Sequence, residues 1–132
     1  MDHFFLHTID WFFVVFHGSL TLFNALGWIW KKTRKLNLVT LVLTGSSWFL
    51  LGLFYGLGYC PLTDWHFQVL NRLGENNLPA SYIEYLLERF LPVDFSSTLV
   101  DTATGGVFLV VLLLSILLNF LDWRKEKRAT GF

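Results

Sequence analysis

Along the N-terminal segment, polar positions recur at a helical interval inside an apolar run. His3, His7, Asp10, His17, Thr21 and Asn24 are spaced four, three, seven, four and three apart. At about 100° per residue, that spacing puts them on one narrow helix face. Phe4, Phe5, Leu6, Ile9, Trp11, Phe12, Phe13, Val14, Val15, Phe16 and Leu20 surround them. A helix so apolar belongs in a bilayer, where ionisable groups are costly unless they face protein or water. The pattern predicts a membrane helix with an inward-facing polar seam.

Three stretches lack Lys, Arg, Asp and Glu and are long enough to cross: Trp11–Trp30, Leu36–Cys60 and Thr102–Leu121. A hydrocarbon core needs roughly 20 apolar residues as helix. Extending the first stretch back through the seam gives spans of about 4–30, 36–60 and 102–121 in a single membrane domain. An outer loop 61–101, a basic turn 31–35 and a tail 122–132 complete it. The expected fold class is all-α: an integral membrane bundle of three transmembrane helices plus two short helices in the outer loop. Thr63 as N-cap, Leu62 and Phe67 as a hydrophobic staple and Gly74 as a stop predict the first short helix, Asp64–Leu73. Ser81-Tyr82-Ile83-Glu84 has capping-box spacing and predicts the second, Tyr82–Phe90, ended before Pro92. Tyr82, Tyr85, Leu86 and Phe90 would form its apolar face, and Glu84 and Glu88 its charged one.

Charge placement orients the bundle. Lys31, Lys32, Arg34 and Lys35, with Arg124, Lys125, Lys127 and Arg128, are eight of the ten basic residues and fall on one side of a three-span chain. The positive-inside rule makes that side cytoplasmic and puts the N-terminus outside. The basic turn Lys31–Lys35 should meet anionic lipid headgroups. Charged residues are only 15% of the chain, well below the roughly 25% of soluble domains. Net charge is zero, which gives no footing for a nucleic-acid partner. No basic leader opens the sequence, and the single cysteine, Cys60, excludes an internal disulfide.

The seam offers the candidate chemistry. His3, His7 and Asp10 can make a metal site near the outer surface, since imidazole and carboxylate suit zinc, copper or iron. Asp64 and His66, expected on the same side, can add to it. His17, deeper, can be a haem ligand or part of a proton relay. Equally, the seam can be glue that hydrogen-bonds neighbouring helices. Cys60 can be a reactive or metal-binding thiol without a partner cysteine, but Cys60-Pro61-Leu62-Thr63 reads first as a rigid corner: Pro61 fixes the exit, Leu62 packs and Thr63 caps. Asp101 reads as an N-terminal cap or dipole partner of the third span. Gly45, Gly52 and Gly56 line the second span, the last two in G-x-x-x-G spacing, as packing positions. No P-loop, G-x-S-x-G or H-E-x-x-H motif is present.

The His-bearing first span, the Cys60-Pro61-Leu62-Thr63 corner, Gly74 and Tyr82-Ile83-Glu84-Tyr85-Leu86 together resemble the bacterial domain-of-unknown-function family 2784, over roughly His17 to Phe120. The resemblance implies a one-domain helical protein of the bacterial inner membrane and supplies no activity. The leading expectation is a non-enzymatic accessory or assembly subunit. Its partners would be the lipid bilayer and another membrane protein or a second copy of the chain. The alternative is a haem b or divalent-metal protein of redox or metal-handling type.

Overall fold

The computed structural model describes residues 3–91 and 94–130. It is all-helical: α1 His3–Leu26, α2 Arg34–Ser46, α3 Gly52–Tyr55, α4 Pro61–Arg72, α5 Tyr82–Phe90 and α6 Ser97–Thr130. A π-helical turn, Ser47–Leu51, joins α2 to α3, so the second long segment is one interrupted rod. Among the described residues three segments are long and apolar enough to cross a membrane: His3–Leu26, Lys31–Tyr55 and Ser97–Ala129. Their mean hydropathies are 1.3, 1.7 and 2.4. Most of their large apolar side chains point outward, Phe4, Phe12, Val15, Leu43, Leu109 and Leu113 among them. That is the inverse of a water-soluble core and the pattern that lipid favours.

The buried centre is small. Leu41, Phe108 and Val111 pack together, with Trp28, Trp48 and Leu112 around them, where α2 meets α6. Gly45 admits the Phe108 ring, since a Cβ there would lie 3.1 Å from it. Polar contacts supplement this thin core. Asn24 Nδ2 donates to Thr44 Oγ1 at 2.9 Å, tying α1 to α2. Asn37, fully buried, donates to the carbonyls of Phe23 at 2.7 Å and Asn24 at 3.2 Å. Those carbonyls belong to the last turn of α1, where the Phe23 carbonyl also accepts from Gly27 N at 2.8 Å. At the same end of the bundle Arg34 Nη1 donates to both oxygens of Asp122, at 3.1 and 3.0 Å. Arg34 therefore serves the bundle and is not simply a headgroup contact.

The second rod does not continue straight to residue 60. Gly56, with φ 116°, ends α3, and Gly58, with φ 87°, helps turn the chain back on itself. Gly58 N donates to the Trp48 carbonyl at 3.1 Å, and Ser47 Oγ donates to the Tyr59 carbonyl at 2.8 Å. Gly52 and Gly56 consequently build this hook and not a helix–helix face: a Cβ on Gly52 would meet the Leu57 backbone at 3.1 Å. Positive φ is what glycine permits and other residues resist.

The hook returns Cys60 to His17, past the midpoint of α1, and α4 starts there. α4 then runs antiparallel to α1, so that Trp65, Gln68, Val69 and Arg72 face Phe13, Ile9 and Leu6. Its first residue is Pro61, and Cys60 holds the N-cap position. Pro suits the first helical position because its missing N–H costs nothing there. Thr63 thus lies inside the helix and does not cap it. The helix expected from Tyr82 to Phe90 is α5, but Ser81 makes no side-chain cap bond, and Glu84 is buried and accepts from Ser97 Oγ at 2.7 Å. Phe90, expected on the apolar face, is exposed. Pro92, expected to stop α5, lies outside the described residues. α6 opens at Ser97, with Ser96 Oγ accepting from Leu99 N at 3.4 Å. Asp101 is accordingly a turn inside the helix, exposed, and neither a cap nor a partner of the seam. α6 also runs on to Thr130 where a tail was expected, about 51 Å of helix against a hydrocarbon core of about 30 Å.

Replacing Asn37 by Leu is expected to destabilise the bundle by about 1–3 kcal/mol, because two α1 carbonyls lose a buried donor. Thermal unfolding of the purified protein in detergent, followed by circular dichroism, would measure it; an unchanged midpoint would contradict the assigned role.

Candidate functional site

α1, α4 and α5 meet around Asp10, the seam's only carboxylate, which is 3% exposed. α1 presents it inward on its polar seam, with Ile9, Trp11, Phe12 and Phe13 on the flanking positions. α4 brings His66, fully buried, whose Nε2 lies 2.7 Å from Asp10 Oδ1. α5 brings Arg89, whose Nη1 and Nη2 donate to Oδ1 and Oδ2 at 2.9 and 3.0 Å. Parallel guanidinium–carboxylate bonds of this kind are among the stronger polar contacts available. Arg89 Nη1 also donates to the Tyr85 hydroxyl at 2.6 Å, and its guanidinium lies 4.8 Å from the Trp11 ring centroid. A positive charge over an aromatic face is further stabilised by the ring quadrupole.

Aromatic residues close the cluster. His66 Nδ1 is 2.9 Å from the Tyr82 hydroxyl, which itself lies 3.4 Å from the Phe13 carbonyl. Phe13 stacks on His66 with centroids 5.3 Å apart, and Phe67 packs against both Tyr82 and Tyr85. With His66 neutral, Nε2–H donates to Asp10 and Nδ1 accepts from Tyr82. Burial pulls the His66 imidazole below its usual range, and the Asp10 hydrogen bond opposes that. Burial likewise raises the Tyr82 and Tyr85 hydroxyls, keeping them protonated. The hydrogen bond from Arg89 to Asp10 raises the guanidinium still further, so it stays charged. The site is a charge-neutral, hydrogen-bonded knot, and both Asp10 oxygens are occupied.

His17 lies one helical stretch further along the same face, 8% exposed. Its ring packs against Tyr82 at a centroid distance of 3.9 Å, and its Nε2 lies 3.9 Å from Cys60 Sγ. Its Nδ1 is buried with no hydrogen-bond partner.

The structure brings together part of what the sequence proposed. Asp10 and His66 join. His3 and His7 are exposed, and Asp64 accepts instead from Tyr59 at 2.9 Å and from Gln68 at 3.3 Å. Among the described residues no group of three or more His, Cys, Asp or Glu side chains is placed to hold a metal. Sequence reasoning passed over Arg89, Tyr82 and Tyr85 as members of the site. Arg89 carried a usable signal: it is one of only two basic residues outside the two basic clusters, in the last turn of an otherwise apolar–acidic helix.

A family model described as a protein of unknown function, DUF2784, matches residues 7–120. The chain belongs to that family. The matched region takes in Asp10, His17, Cys60, His66 and Arg89. No curated protein and no solved structure matches the chain.

Asp10→Ala should cost about 3 kcal/mol, since it strands Arg89 and leaves His66 without an acceptor; chemical unfolding in detergent reports it, and a loss below the measurement error would show the knot to be idle. The pH dependence has a defined sign. A histidine held below its ordinary 6.5 in the folded protein stabilises the fold fully above that value and less as pH falls toward its folded value. The unfolding midpoint is therefore expected to fall on acidification below about pH 6.5, and a His66→Gln variant should lose part of that slope.

Proposed function

We propose that this chain is a non-enzymatic accessory or assembly subunit of the bacterial inner membrane, with its N-terminus outside and its basic segments in the cytoplasm. The observation that carries this reading is the occupancy of Asp10. A seam whose carboxylate is taken at both oxygens by His66 and Arg89 is a fastening, and no oxygen of it is left to hold a substrate or metal. Its work is to clamp α4 and α5 onto α1. What then remains on offer is the exterior. α1 carries an open hollow of about 520 Å³ lined by Thr8, Trp11, Phe12, Val15, Phe16 and Ser19. Apolar walls with two small hydroxyls suit a neighbouring helix, where close packing and hydroxyl bonds supply the attraction that lipid cannot. The partner would be another membrane protein or a second copy of this chain.

The orientation rests on eight of ten basic residues lying at 31–35 and 124–128. A haem at His17 finds less support, because Tyr82 and Cys60 already lie against that ring. A metal held jointly by His3, His7, Asp10, Asp64 and His66 finds little support from residues that point to separate partners.

A photo-crosslinking amino acid placed at Phe12 in living cells is expected to give one discrete protein adduct, and the same group at Leu113 on α6 is not. Adducts with lipid alone at both positions would defeat the subunit reading. A green fluorescent protein fused to the C-terminus should fluoresce in a bacterial host, and a periplasm-dependent phosphatase fused there should stay inactive.

A further inference from the structure

His17 and Cys60 are the chemically able pair that the Asp10 knot does not use. The hook at Gly56 and Gly58 delivers Cys60 to this imidazole from another part of the chain. Among the described residues His17 has no nitrogen or oxygen partner: Nδ1 has none at all, and Nε2 has only the sulfur, at 3.9 Å. Nε2, the nitrogen that faces Cys60, thus has only a long sulfur contact, and two soft donor atoms stand face to face within an apolar bundle. Cys60 also occupies the N-cap of the twelve-residue α4, where the helix dipole favours a negative sulfur.

We infer that Cys60 Sγ and His17 Nε2 form a two-coordinate site for a soft monovalent cation, Cu(I) by its chemistry. Three observations select that class. First, metal bonds of about 2.3 Å to sulfur and about 2.0 Å to nitrogen together slightly exceed 3.9 Å, so an ion lying between Sγ and Nε2 reaches both donors with little shift of either. Second, no third His, Cys, Asp or Glu is placed to complete the site among the described residues, which disfavours Zn(II), an ion that wants four ligands. Third, charge balances only for a monovalent ion. One thiolate, one neutral imidazole and one M⁺ sum to zero, whereas a divalent ion leaves a net positive charge in an apolar interior. Thiolate and imidazole are also the softer donors among protein side chains. On binding, the S–H bond breaks, S–M and N–M bonds form, and the thiol proton leaves to solvent; nothing is oxidised or reduced. Cys60 is partly exposed, which leaves the sulfur an approach for the ion. The inference stands apart from the accessory-subunit reading, because it uses different residues.

The test is an anaerobic Cu(I) titration of the full chain, purified in detergent with a histidine-free affinity tag, against a chromophoric Cu(I) chelator. One equivalent is expected to bind, with near-ultraviolet thiolate-to-copper absorption and no displacement by excess Zn(II). Cys60→Ser should abolish binding. His17→Phe, which keeps a ring against Tyr82, should weaken it by more than the roughly 100-fold that outer-shell losses reach. Absence of saturable binding, full affinity in Cys60→Ser, or equal competition by Zn(II) would overturn the site. Should a variant fail to fold, the unaltered chain decides: one equivalent of Cu(I) is expected to protect Cys60 from maleimide alkylation, read by mass spectrometry. Alkylation at the same rate with and without Cu(I) would refute the assignment.

Discussion

A carboxylate inside an apolar helix must be neutralised by something that also excludes water, and Asp10 sets that requirement for this molecule. An isolated charge there would be far too costly to keep, so the fold has to bring a cation and hydrogen-bond donors to it. It does so from two separate helices. Arg89 supplies the charge and a two-point grip, and His66 supplies a further donor. Tyr82 and Tyr85 then satisfy the donors and acceptors left over. Because each partner is itself bonded, the group is closed, which is the condition under which a buried polar network stabilises instead of straining.

That requirement explains the unusual path of the chain between the second and third long helices. For His66 to reach Asp10, α4 must lie along the N-terminal half of α1 rather than above it. The π-turn at Ser47–Leu51 and the glycine hook beyond Tyr55 bring the chain back far enough for α4 to begin beside His17. Half-length helices that start inside a bundle need their freed backbone groups satisfied by protein. Here Ser47 and the Trp48 carbonyl take part in that. At the opposite end, Arg34 and Asp122 join α2 to α6. The thin apolar core between α2 and α6 is thus bracketed by two charged ties, one near each end of α1.

Polar groups in such a protein divide into those that are consumed and those that are not. The Asp10 knot is consumed. Ser115 is too, and Asn24 and Asn37 are in part, each donating through Nδ2 across helices near the Arg34 end while its Oδ1 has no partner. Among the described residues three buried side-chain atoms lack a partner, His17 Nδ1, Asn24 Oδ1 and Asn37 Oδ1, and of these residues His17 is the one that stands beside a thiol. The same tertiary arrangement therefore argues for a fastening at one level of the bundle and for ligand chemistry a few residues further along.

The sequence by itself determined that the chain is helical, that three segments are long and apolar enough to cross a membrane, and that α5 spans Tyr82–Phe90. Those properties follow from local composition and helical periodicity, which are written in consecutive residues. It also placed Asp10 and His17 on one face, where the fold buries both, although His3 and His7 on the same face remain exposed. Only the tertiary structure decided which groups meet. Asp10 and Arg89 are 79 residues apart, and their meeting depends on where the second rod breaks. That break rests on a π-turn and two positive-φ glycines, which look in sequence like part of an uninterrupted apolar helix. Partner choice for a buried charge is a long-range property of the fold, and helical spacing carries no information about it.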